Sequence, residues 1–128
     1  MPDPVTGAGF DAPPPEDAYK DAPAITDEAA ALMGLISDGT RHQGDAGAYR
    51  DFLLRRAALA DRIHLDELHS DDAHSDAVRA SQELMRYDRL HPQYVRGPIG
   101  PGSIEWDPSA RPYVRQEYAH RDGQSPVA

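Results

Sequence analysis

Apolar positions along this chain fall into stretches with helical spacing, separated by polar and proline-rich segments. Ile25, Ala29, Leu32, Met33 and Ile36 recur at three- and four-residue intervals and so predict one face of a helix. Thr26 suits the N-cap, Asp27 and Glu28 favour the positive end of the helix dipole, and Gly39 is a natural stop. Gly34 inside this helix costs about 1 kcal/mol relative to alanine, so the helix must lean on its packing.

A polar segment, Asp38 to Gly47, precedes a second predicted helix from about Ala48 to Leu68. Tyr49, Phe52, Leu53, Ala60 and Ile63 form one apolar face, and Leu54, Ala58, Leu65 and Leu68 form another. A helix with two apolar faces sits between two neighbours, or between a neighbour and a partner chain. The third predicted helix begins within Ser70–Ser75 and ends near Leu90, before Pro92. Its inward positions, Ala73, Ala77, Ala80, Leu84 and Tyr87, are mostly small and permit close approach in an antiparallel hairpin with the second helix.

Proline sharpens this division. Six of the twelve prolines lie in residues 1–23, six in residues 92–128, and none between Ala24 and His91. Proline lacks a backbone N–H and clashes with the preceding turn, so a proline-free window marks the helical part of the chain. The expected architecture is mainly α: a short helix plus an antiparallel helical hairpin, about three helices within residues 25–91. Residues 1–24 read as a disordered, acidic, proline-rich arm. Residues 92–128 read as an extended Pro/Gly/aromatic tail with at most a short β-hairpin, Tyr94–Arg96 against Ile104–Trp106 across the Gly-Pro turn.

Composition adds a constraint on stability. Leu, Ile, Val and Phe number 21 in 128 residues, and a core of 70–80 residues or fewer supplies only about 3–5 kcal/mol. The helical window alone is therefore marginal and calls for a partner, self-association or a docked tail.

Charge is uneven. Of the net −9, residues 1–38 carry −7, residues 39–91 carry −2, and residues 92–128 are balanced. Arg50, Arg55, Arg56 and Arg62 lie among Asp51 and Asp61, so the footprint of a nucleic-acid binder is missing; acids concentrated in a flexible arm do not make a DNA mimic either. The chain has no cysteine, which removes disulfides, thiolate metal sites and cysteine nucleophiles. Its longest strongly apolar run, Ala29 to Ile36, is too short to span a bilayer, and acids stand where a secretory signal needs positive charge. The expected location is the cytoplasm. Twelve arginines against one lysine, with abundant alanine, suggest a GC-rich bacterial genome.

Several constellations invite a chemical reading. His64, His69 and His74 recur among Asp66, Glu67, Asp71 and Asp72, residue types that zinc, iron or manganese would use. Five residues turn a helix by about 500°, so successive histidines diverge by about 140°. The pairs His64/Glu67 and His69/Asp72 have ligand spacing, but a second matching motif would have to come from another copy. A solvated corner whose acids favour the third helix's N-terminus explains the cluster more simply. His74-Ser75-Asp76 spells a triad in order, yet consecutive helical residues point apart, and no Gly-x-Ser-x-Gly elbow is present. Gly97, Gly100 and Gly102 do not cradle phosphate, because Pro98 and Pro101 remove donors and no helical pattern follows.

The tail is the more informative region. Tyr94-Val95-Arg96 is echoed by Tyr113-Val114-Arg115, with Trp106 and Tyr118 nearby. Aromatic and arginine side chains are those most enriched at binding hot spots. The expectation is thus a small non-enzymatic interaction module, an accessory subunit, adaptor or regulator. It would need no cofactor and would bind another protein through Tyr94, Arg96, Trp106, Tyr113, Arg115 and Tyr118 and an exposed helix face. Docking of the tail on its own chain is the simpler use of the same residues. The alternatives are a metal-binding bundle or metal-dependent enzyme assembled across a dimer, and a self-assembling structural protein.

Overall fold

In a computed structural model the described residues are 2–37 and 46–121. They form α1 (Pro15–Ala18), α2 (Ile25–Ser37), α3 (Ala46–Asp66), α4 (Asp71–Leu90) and α5 (Arg111–Ala119). Two single-turn 3₁₀ helices, Pro92–Tyr94 and Ile104–Trp106, lie between α4 and α5. The chain is mainly helical, and no strand occurs among the described residues. Gly39 and most of the polar segment after α2 lie outside the described residues.

The hairpin of α3 and α4 is the frame. Phe52, Leu53, Leu54, Ala57 and Ala58 on α3 share one buried cluster with Ala80, Leu84 and Met85 on α4. The alanine-rich side of α4 lets the two helices approach closely. Ser70 caps α4, its Oγ accepting from the Ala73 N–H at 3.1 Å, and Asp71 and Asp72 occupy the first turn.

α2 begins one residue before the expected cap, with Ile25 and Thr26 already helical. Its buried side also differs from the apolar stripe: Met33 is 63% exposed, whereas Glu28 and Leu32 are buried. The reason is an ion pair. Glu28 Oε1 accepts from Arg55 Nε of α3 at 2.7 Å, which turns this side of α2 inward.

The largest departure is the C-terminal region, which is not an irregular tail. Eight consecutive residues of α5, Arg111 to Tyr118, are buried, so this short helix runs through the interior, packed against α1, α3 and α4. Ser109 Oγ accepts from the Arg111 N–H, and Pro112 stands in the first turn, where its missing N–H costs nothing. The expected hairpin is absent as well, because Tyr94 and Trp106 lie on 3₁₀ turns. Trp106 packs edge-on against Tyr113, with ring centroids 5.6 Å apart, and donates from Nε1 to Gly100 O at 2.8 Å.

The N-terminal arm is likewise structured over its described length. Pro15 opens α1, Ala12 and Ala18 are buried, and the Asp11 N–H donates to Glu105 at 2.7 Å. Tyr19 packs edge-on against Tyr118 at 5.2 Å. Hydrogen bonds and two aromatic rings, Phe10 and Tyr19, anchor a segment poor in large aliphatic residues.

Candidate functional site

Two environments carry functional-type side chains: a charged interior around α5 and an open groove on the outer side of the α3–α4 hairpin.

The interior holds two ionic clusters. In the first, Asp61 of α3 accepts from Arg111 Nε at 2.6 Å, from Arg115 Nε and Nη2 at 2.9 Å each, and from the Tyr19 hydroxyl at 2.6 Å. Arg111 Nη1 lies 2.8 Å from His64 Nδ1, so a neutral imidazole accepts there. Burial, the Arg111 charge and His74 together hold the His64 imidazole below its ordinary range. Burial and the neighbouring Asp61 push the Tyr19 phenol well up, keeping it a proton donor.

In the second cluster, Asp88 of α4 accepts from Arg50 Nε at 3.1 Å, from Arg50 Nη2 at 2.7 Å and from the Tyr113 hydroxyl at 2.6 Å. Arg50 Nη2 also donates to Glu117 Oε1 at 2.8 Å. Burial opposes the Arg50 charge, but Asp88 and Glu117 outweigh it and hold the guanidinium above its usual range. Glu117 further accepts from the N–H groups of Arg96 and Gly97, both at 2.7 Å, while Gln116 exchanges hydrogen bonds with the backbone of Ile99. Gly97 is needed here, since a Cβ would fall 2.3 Å from the Gln116 side chain.

The clusters balance each other. The first holds two arginines around one carboxylate, and the second two carboxylates around one arginine. Each buried charge has an opposite charge in direct contact, which buried ions require. These groups face one another and do not converge on an open cavity. A depression of about 300 Å³ lies where residues 4–5 and 108–111 cross α4, but the guanidinium lining it, Arg111, is already engaged by Asp61 and His64.

Four of the six expected partner-binding residues therefore lie inside the chain: Trp106, Tyr113, Arg115 and Tyr118 are all buried. Tyr94 and Arg96 remain toward the surface. Tyr94 is half-buried and stacks near Tyr87, ring centroids 6.4 Å apart, with His91 between neighbouring rings. Arg96 is exposed, and its backbone N–H donates to Glu117. The three histidines are not brought together. His64 is buried against Arg111, its ring packed on His74 at 5.1 Å, while His69 is exposed. No group of three or more metal-ligating side chains is assembled among the described residues. Nor is any helix among them long and apolar enough to cross a membrane.

The outer groove has a volume of about 290 Å³, and its lining comes from α3 and α4 alone. Leu59, Ala60 and Ile63 of α3 and Ala73 and Ala80 of α4 make an apolar floor. Ion pairs rim it: Arg56 with Glu83, and Asp76 with Arg79. Beyond Glu83 a shallower depression of about 160 Å³ continues along the hairpin past Tyr49, Arg86, Tyr87 and Leu90. Leu90 is 73% exposed.

Comparison of the chain with protein-family models, curated proteins and solved structures finds no match.

Proposed function

We propose that this chain is a small, non-enzymatic protein–protein interaction module whose binding surface is the outer face of the α3–α4 hairpin. The groove carries the reading: its apolar floor and charged rim are contributed by two helices and covered by no other described element. Tyr94 extends the face, because it stacks on Tyr87, which lines the far end of the same surface. The interior supports the reading indirectly. Its acids, arginines and tyrosines hold one another in place and present no convergent reactive groups to an open pocket.

Affinity capture with the intact chain as bait, run beside Ala60→Glu, tests this. Ala60 lies half-exposed on the groove floor, so the variant alters the face and leaves the interior alone. A stoichiometric protein captured by the native chain and lost with the variant, at unchanged circular dichroism, is the expected result. Equal capture by both refutes the surface, and so does capture of nothing by a chain that is also monomeric.

A further inference from the structure

We infer that the occupant of the α3–α4 groove is a second copy of this chain, docked antiparallel about a twofold axis. The inference rests on the reading of this face as the interaction surface and names its partner.

The order of charges along α4 points to this occupant. Facing the groove and its continuation are, in sequence order, Asp76, Arg79, Glu83 and Arg86. Helical geometry keeps these residues within an arc of about 80° on one side of the helix. The sign alternates along this stripe. A twofold axis at the level of Ser81 places Asp76 opposite Arg86 of the second copy and Arg79 opposite Glu83 of the second copy. Symmetry makes each pairing twice, as a self-complementary interface requires. Parallel docking in register would set like on like at every position. A uniformly acidic or basic partner helix would meet its own sign at half of them. A second copy supplies the matching alternation by itself.

The apolar geometry fits the same arrangement. From Ala73 to Leu90 the face is about 26 Å long and two helices wide, roughly 500 Å² in projection, which is at the small end for a stable interface and fits a dimer that dissociates on dilution. Exposed ion pairs contribute little affinity, so the floor supplies the attraction while the charges fix direction and register. The overall charge of −9 does not oppose this strongly. Most of it lies in residues 1–38, and residues 39–91, which include the face, carry only −2.

The test is the mass of the intact chain, by sedimentation and by light scattering after size exclusion, over a wide concentration range. The native protein is expected to have the mass of two chains and to dissociate on dilution. Arg79→Glu and Glu83→Arg should each weaken the dimer roughly tenfold, and the double exchange should restore it, because the two signs swap together. Arg79 has a side chain 74% exposed, so its variant folds irrespective of the interface. A single-chain mass at every concentration overturns the inference, and so does a dimer unaffected by Arg79→Glu or not recovered in the double variant. A monomer that still captures a different protein sensitive to Ala60→Glu leaves the interaction-module reading standing. A monomer that captures nothing removes both.

Discussion

Arg115 and Asp61, fifty-four residues apart in the chain, meet in the interior as a two-pronged ion pair, with Nε–Oδ2 and Nη2–Oδ1 both at 2.9 Å. The pair joins α5 to the C-terminal half of α3, and Arg111 reinforces it from one turn earlier. Residues 111–118 are thereby part of the structural core.

Removing the charge at the centre of this cluster should be severe. Asp61→Asn leaves two buried arginines without their counterion, and breaking a buried pair from one side costs about 3–5 kcal/mol. That approaches the whole stability of a small domain. Thermal and urea unfolding followed by circular dichroism should show an unfolded or strongly destabilised chain. A change in midpoint within error would mean that the cluster is not formed as described.

Glu117→Gln should act more locally. Glu117 accepts from the Arg96 and Gly97 N–H groups as well as from Arg50, so its neutralisation loosens the loop between α4 and α5. Amide hydrogen exchange at Arg96 and Gly97 is expected to accelerate more than exchange at the α3–α4 contact. Equal acceleration throughout would show that the variant acts on global stability alone.

A slope of stability with pH should trace to His64. Its imidazole is held below the ordinary 6.5 by burial first, then by Arg111 and His74, with Asp61 opposing. The unfolded chain therefore takes up a proton on acidification that the folded chain refuses, and the unfolded state binds more protons. Stability from this group is present above about pH 6.5 and is lost as pH falls toward the lower folded value. Denaturant midpoints for His64→Gln should be flatter across that window than those of the native chain. Identical slopes would remove His64 as the cause.

Trp106→Ala and Tyr113→Ala separate a structural tail from a partner-facing one. Both rings are buried and packed edge-on, so each truncation should cost about 3–5 kcal/mol and reduce helical content. Retained folding with selective loss of partner capture would return these residues to a recognition role.

Much of the frame was legible in the residues. Proline-free spacing located α3 and α4, and the alanines at 73, 77 and 80 announced a close hairpin. The marginal core also implied that something must dock on it. The occupant was harder to see, because Arg111, Arg115, Gln116 and Glu117 make half of the eight buried residues polar or charged, and a polar side of a helix reads as solvent-facing. Its burial depends on acids supplied from distant helices. Those acids did leave a signal. Asp61 continues the inward phase of Leu54 and Ala58, and Asp88 that of Ala77, Ser81 and Leu84. A carboxylate in the buried phase of a helix demands a cation, and the arginines at 111 and 115, four residues apart, are spaced to answer it. α2 followed the same logic through Glu28 and Arg55, which outranked Met33 for the inward position.

The account turns on α5 being an interior helix, and native-state hydrogen exchange of the intact chain tests that most directly. The amides of Arg115 to Tyr118 should be protected to the same level as those of Ala57, Ala58 and Leu84, opening only with global unfolding. Exchange of these amides at the rate of an unstructured peptide, with α3 and α4 still protected, would contradict the fold and return the C-terminal segment to a tail.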